Sequence, residues 1–383
     1  MGSLLITRFK KNMNKPLQIA VVGAGGFAYF AVNEFVKIDG VQLVAVYDEN
    51  IDNATHLKEI DASLKIYDSL ESLCLENAID LVYIATPPYL HYTQSKTALL
   101  AGKHVICEKP AAIKPEHAVE LRELAAEKDL LFVVNLMQRY NPLYESVDQL
   151  IRQNILGDFL HGFFENYASD EALTEQHWFW DEDKSGGIFI EHGVHFFDMF
   201  SGWLGQGKVI AAQKSGRLHC KNVWDKAQAI VLYAGGLVNF YHGFDQPKIM
   251  DRQEMRLQFE RGEVTLFEWV PTQLKITALC SEEELQTLKL IFPKAEIQVI
   301  EYFEKAKTSK GRFKEIQYQY KLKLDTGDSV KKQTLYQELV RDMFIDQLAW
   351  IIDRNHIRKI DQDNAVNSLQ IAGEAEQLAI RIS

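Results

Sequence analysis

Leu17-Gln18-Ile19-Ala20-Val21-Val22-Gly23-Ala24-Gly25-Gly26-Phe27-Ala28 is the stretch on which the fold turns. Its first half is a short apolar run, as a parallel strand buried on both faces requires. Its second half is G-x-G-x-x-A. A helical pattern follows, with Phe27, Phe30, Ala31, Phe35 and Ile38 apolar, and Gly40 ends it. A second apolar run, Val41 to Tyr47, stops at Asp48. A glycine motif alone is weak. Between a strand and a helix, with an acid closing the next strand, it is the dinucleotide fingerprint. Gly23 allows the tight turn and Gly25 lets a pyrophosphate approach the backbone. Gly26, Phe27 and Ala28 open a helix whose N-terminus stabilises the negative charge. Asp48 is placed to accept hydrogen bonds from a ribose diol. Glu49 and Asn50 follow it, with no Arg or Lys beside them. A 2′-phosphate would meet two carboxylates and no cation, so the expected cofactor is NAD, with NADP the lesser reading. The bland alternative is a structural βα turn that binds nothing.

Outward from this unit the alternation continues. Asp80 to Ala85 reads as a strand and runs into Thr86-Pro87-Pro88-Tyr89-Leu90-His91, where two prolines force the chain out of the sheet. Loops at strand C-termini bind ligands in such sheets, which makes Thr86, Pro87 and His91 candidates. A helix over roughly Tyr92 to Ala101 follows. His104 to Cys107 is a strand leading into Glu108-Lys109-Pro110, Pro115 to Lys128 a helix, and Leu130 to Val134 a strand. Strands alternating with helices predict a doubly wound parallel sheet. After Asn135 the character changes. Strand-like runs joined by short glycine turns (Ala234-Gly235-Gly236, Arg261-Gly262-Glu263) predict a largely antiparallel sheet. Tyr336 to Arg354 and Asp363 to Ile382 read as helices, and Glu304 to Lys332 as a solvated loop or exposed strand. The expected fold class is α/β: an N-terminal Rossmann domain and a C-terminal α+β domain. The expected division is an extension over 1–14, a dinucleotide-binding domain over 15–137 and a substrate and oligomerisation domain over 138–383. The final helices are expected to pack back on the Rossmann domain.

The 383 residues are too many for one ordinary core. A formal charge of −11 argues against nucleic acid as the main partner, since phosphate binding needs a basic face. Cys74, Cys107, Cys220 and Cys280 are scattered without a CxxC pair, which fits a reducing cytoplasm and offers no zinc framework. No apolar run reaches transmembrane length. Residues 1–14 do not read as a signal peptide, Ile6 breaks a myristoylation pattern, and Met13 is a candidate alternative start.

Gly186-Gly187-Ile188-Phe189-Ile190-Glu191-His192-Gly193-Val194-His195-Phe196-Phe197-Asp198 reads as a loop followed by a helix. At i, i+4 and i+7, Glu191, His195 and Asp198 are expected on one face. They suit proton transfer or, with His192, a metal site; the bland alternative is a solvated or hydrogen-bonded helix face, and Asp198 is expected to hydrogen-bond structurally further along the helix. The metal reading is the weakest, and no metal is expected.

Taken together, GAGGFA, Asp48, ATPPYLH at 85–91, AGKHVICEKP at 101–110, QRYNP at 138–142 and GGIFIEHGVHFFD at 186–198 resemble the Gfo/Idh/MocA family of oxidoreductases (glucose–fructose oxidoreductase, inositol dehydrogenase, rhizopine catabolism). The resemblance covers roughly Leu17 to Gly205. It implies a large, open C-terminal sheet that assembles a homodimer or homotetramer, with the nicotinamide between the domains. It implies His195 as general base, Lys109 as the cation that stabilises the developing alkoxide, and Glu108 at the nicotinamide ribose. The Lys109–Pro110 peptide is often cis in this family. Glu191 departs from the family's usual Asp and adds a methylene. Pro87 and His91 match the loop beside the riboses, although His91 equally suits capping or packing. Trp178 and Trp180 are candidates for stacking on a sugar, with interdomain packing the plainer alternative. Arg139 and Tyr140 match the domain joint, and Tyr140 is also a substrate candidate. The expected activity is NAD-dependent oxidation of a secondary alcohol on a sugar, polyol or inositol-like substrate. NAD-assisted glycoside hydrolysis and a non-catalytic NAD-binding regulator are the alternatives.

Overall fold

A computed structural model of the chain describes residues 15–220, 223–311, 314–327 and 332–382. The readings made on the extension 1–14 fall outside the described residues. The chain groups into two units. The first runs through Tyr140 and takes in Gln176–Asp198 and Tyr336–Glu376; the second holds Asn141–Glu175, Met199–Leu335 and the segment from Gln377.

The first unit is built on a six-stranded sheet: β1 (Leu17–Val22), β2 (Val41–Tyr47), β3 (Lys65–Ile66), β4 (Leu81–Ile84), β5 (His104–Cys107) and β6 (Phe132–Val134). The order is β3-β2-β1-β4-β5-β6 and every pairing is parallel. β4 is buried at all four residues, which is why it is apolar throughout rather than alternating. The order reverses between β1 and β4, so a crevice opens beyond their C-terminal ends. Gly23 leaves β1 there at φ +84°, and a Cβ on it would lie 2.7 Å from the Ala85 carbonyl oxygen at the end of β4. Only glycine lets the two loops meet so closely. The helix after β4 begins at Pro88, earlier than the sequence suggests, because proline suits the first helical position, where its missing N–H is not needed.

The second unit is a ten-stranded sheet: β7 (Phe159–Tyr167), β8 (Lys208–Ser215), β9 (Lys226–Tyr233), β10 (Gly236–Gly243), β11 (Arg252–Phe259), β12 (Gly262–Phe267), β13 (Gln273–Cys280), β14 (Glu296–Lys310), β15 (Glu315–Gly327) and β16 (Ala379–Ile382). The order is β14-β15-β13-β12-β11-β7-β10-β9-β8-β16, antiparallel except for β7–β10 and β8–β16. β9 and β11 bury alternate residues, so one face is covered and the other is not. Phe200, from the helix Val194–Leu204, covers part of the buried face and meets Phe240 edge-on at 5.0 Å, with Trp203 packed behind it.

Two expectations are corrected here. Asp363 to Ile382 is not one helix: the helix is Gln362–Leu378, and Ala379–Ile382 pairs in parallel with the edge strand β8. The alternating Ala-Ile-Arg-Ile end takes the ladder that an open edge offers. The Gly186–Asp198 helix does not begin as an α-helix either, because Phe189–Gly193 is a π-turn before the α-helix starts at Val194.

Candidate active site

That π-turn redistributes the three polar residues expected on one face. Wider winding moves Glu191 out of α register with Asp198. Glu191 turns to Lys109, whose Nζ donates to the Glu191 carbonyl at 2.8 Å and also to Oε1 of its carboxylate. The pair is mostly enclosed, with side-chain exposures of 21% for Lys109 and 11% for Glu191. Asp198 instead accepts a fork from Arg139, Nε to Oδ2 at 2.7 Å and an η nitrogen to Oδ1 at 2.8 Å. Asp198 therefore holds the helix in place and is not part of the proton-transfer set.

His195 is partly buried, and its Nδ1 has no hydrogen-bond partner among the described residues. Loss of solvent and then the charge on Lys109 lower its pKa to about 3. The ring is thus neutral at ordinary pH and able to accept a proton. It is also a far weaker base than an unperturbed histidine.

Around the glycine turn, a Cβ on Gly25 or Gly26 would meet nothing within 4 Å. Protein packing does not require glycine there; open backbone at a helix N-terminus is what a pyrophosphate needs, so the residues present fit a dinucleotide. Phe27 packs its ring against Phe30 and Tyr336 at 5.8 and 6.1 Å. Ala28 is fully buried beneath the turn. Asp48 accepts from the backbone N–H of Ala24 at 2.6 Å and of Asn50 at 2.7 Å, which ties the end of β2 to the turn after β1.

Glu108 is buried. Its Oε1 accepts from the Tyr83 hydroxyl at 2.6 Å and from Asn135 Nδ2 at 2.8 Å. Burial pushes its carboxyl above the usual range, opposed by those two donors. Tyr83 and Asn135 escape sequence reading; the only signal is polar atoms in or just after otherwise apolar strands. The Lys109–Pro110 peptide is cis. Thr86 donates its hydroxyl to Gln94, and Pro87 caps the helix Pro88–Leu100. His91 is 1% exposed, with Nδ1 2.6 Å from the Pro110 carbonyl oxygen and Nε2 2.7 Å from that of Thr86. Both ring nitrogens face backbone carbonyls of two loops, and the neutral ring donates its one N–H to one of them, so the packing role fits it and direct contact with a ribose does not.

The substrate candidates separate. Tyr140 is 5% exposed and donates its hydroxyl to Asp346 at 2.6 Å, so it is a core residue and the substrate expectation is corrected. Trp180 is likewise 5% exposed, edge-on to Phe179 at 4.7 Å, and packs rather than presents a face. Trp178 keeps partial exposure beside His177 and Phe179. Among the described residues, no group of three or more His, Cys, Asp or Glu is arranged to hold a metal ion, and no helix is long and apolar enough to cross a membrane.

Comparison with known proteins adds to this geometry. Residues 17–136 match the family described as "Oxidoreductase family, NAD-binding Rossmann fold", and residues 144–265 match the GFO/IDH/MocA C-terminal domain. An uncharacterized oxidoreductase of Synechocystis sp. is 29% identical over 201 residues, 52% of this chain and 54% of that protein. Glucose-6-phosphate 3-dehydrogenase of Bacillus subtilis is 28% identical over 186 residues, 48% of this chain and 52% of that protein. The chain thus spans about half the length of the curated relatives it matches. In three dimensions it is similar to the WlbA dehydrogenase of Bordetella pertussis, solved with NADH and UDP-GlcNAcA. The TM-score is 0.77 at 15% identity, over 95% of this chain and 96% of that one, a likeness of fold.

Proposed function

The chain belongs to the GFO/IDH/MocA family of oxidoreductases, and from that premise we propose that it is an NAD-dependent dehydrogenase acting on a secondary alcohol of a sugar, polyol or inositol-like substrate. One observation carries the proposal. The enclosed Lys109–Glu191 pair stands with the unpartnered nitrogen of a neutral His195 in the same unit as the open glycine turn.

Bound NAD supplies the hydride acceptor. The chain holds it through the backbone of Gly25, Gly26 and Phe27 at the pyrophosphate, Asp48 at the adenosine ribose, the Thr86–Pro87 loop, and Glu108 at the other ribose. The Asp48–Glu49 carboxylates disfavour a 2′-phosphate, which supports NAD over NADP. The residues then divide the work. Glu191 holds the Lys109 ammonium by carbonyl and carboxylate, so the charge is pointed before substrate arrives. Lys109 stabilises negative charge growing on the hydroxyl oxygen. His195 accepts the hydroxyl proton. Burial, the larger cause of its weakness as a base, persists through the step, while the growing alkoxide offsets the smaller contribution from the Lys109 charge. Of Tyr140, Trp178 and Trp180, Trp178 is the one with surface left for the apolar face of a sugar ring.

The test is reduction of NAD with a panel of D-glucose 6-phosphate, D-glucosides, myo-inositol and nucleotide sugars. Turnover on at least one member is expected. In Lys109→Ala and His195→Ala, kcat should fall by about 10²–10⁴, in the range of a lost general base or charge stabiliser. Unchanged turnover in both variants would remove the assigned roles. Thermal shifts larger with NADH than with NADPH are expected for the cofactor preference.

A further inference from the structure

Within the first unit, the last helix, Gln362–Leu378, touches the site segment at both ends. At the start, Glu376 Oε1 accepts the backbone N–H of Phe189 at 3.1 Å. Its carboxylate also lies flat on Gly187: a Cβ there would sit 2.7 Å from the Glu376 carboxyl carbon and 2.9 Å from Oε2. Gly187 has φ +93°, a conformation that a side chain would strain even without that neighbour. At the far end, Asn364 Nδ2 donates to Asp198 Oδ1 at 3.3 Å. Twelve residues of helix separate the two contacts, about 18 Å of rise.

The contact at the start matters most for the chemistry. The Gly187 carbonyl accepts both the Ile190 N–H at 3.1 Å and the Glu191 N–H at 2.9 Å. The peptide on which Glu376 rests is therefore the one that anchors Glu191, and Glu191 in turn grips Lys109 by two atoms. A π-turn is less favourable than an α-turn and persists where its surroundings hold it. An anionic carboxylate over the first N–H groups suits the positive end of the segment.

We propose that Glu376 is a positioning residue: it fixes the start of the π-turn and thereby where Glu191 and His195 stand relative to Lys109. The inference rests on the dehydrogenase reading for its significance, but its test needs neither substrate nor cofactor. The His195 ring is followed by histidine NMR in the full chain, assigned by loss of the signal in His195→Asn. In the unsubstituted protein it stays neutral through pH 5. In Glu376→Ala the released turn lets His195 leave its enclosed place near Lys109, and its midpoint should rise by at least one pH unit. Simple removal of a nearby anion would move it downward instead, so the sign separates repositioning from a direct charge effect. Glu376→Gln keeps the acceptor oxygen while removing the charge, so its His195 midpoint should not rise. If Glu376→Ala does not fold, Glu376→Asp, which draws the carboxylate back by one methylene, is expected to show the same upward shift. A His195 midpoint that is unmoved or lowered in the folded variant overturns the proposal. A sugar panel without turnover would count against the dehydrogenase and leave this result standing.

Discussion

Arg139 and Asp198 show what a single residue contributes to this site without touching its chemistry. Asp198 is 2% exposed and takes three hydrogen bonds from Arg139, one of them at its backbone carbonyl. Among the described residues, Arg139→Ala leaves that carboxylate buried with only the 3.3 Å contact from Asn364, which should cost about 3–5 kcal/mol in urea unfolding. Arg139→Lys should recover only part of it, because an ammonium cannot reproduce the planar fork. At this scale motif order singled out Lys109, Glu191 and His195, and the fold brings them into one unit with Lys109 and Glu191 paired. Tyr140 was not. Its partner Asp346 lies 206 residues away, and nothing local distinguishes a tyrosine that meets a substrate from one whose hydroxyl is already satisfied in the core.

At the scale of the element, the glycine turn separates two kinds of glycine. Gly23 combines φ +84° with a backbone oxygen in the way of any side chain, so Gly23→Ala should lower stability by at least about 1–3 kcal/mol. Gly25 sits at φ −70° with open space around it, so Gly25→Ala should leave thermal stability within about 0.5 kcal/mol. The same variant should weaken NADH binding by tenfold or more in a titration, because the methyl group takes the place of the pyrophosphate. A Gly25→Ala protein that binds NADH normally would show that the cofactor lies elsewhere. Strand, turn and helix were legible here because burial on both faces leaves an unbroken apolar run. The π-turn was not, because a single residue of extra winding changes no composition. β16 was not either: a four-residue strand is written partly in the availability of the β8 edge, which exists only after folding.

For the whole molecule, acid should be the weak side. His242 is fully buried and burial lowers its pKa to about 3; His195 is lowered to about 3 and His104 to about 4, and His91 shifts in the same direction. An unfolded histidine titrates near 6.5. Below that pH the unfolded chain binds protons that the folded chain refuses, so this stability is complete above about pH 6.5 and drains away as pH falls toward the folded values. Glu108, with its raised pKa, works in the opposite sense. Unfolding free energy should therefore fall from pH 6.5 to 4.5, and His242→Gln should flatten the slope by about 1.4 kcal/mol per pH unit. A slope unchanged by that substitution would mean that His242 is protonated in the folded protein.

The bond between Phe189 and Glu376 joins residues 187 apart in the chain. During synthesis at about 5–20 residues per second, the segment bearing Glu191 and His195 therefore leaves the ribosome roughly 10–40 seconds before the glutamate that caps it. The nucleotide-binding strands can pair as they emerge. The start of the Gly187–Asp198 segment has to wait for Glu376, so a nascent protein stalled short of that residue would carry a cofactor turn with an unfinished candidate site.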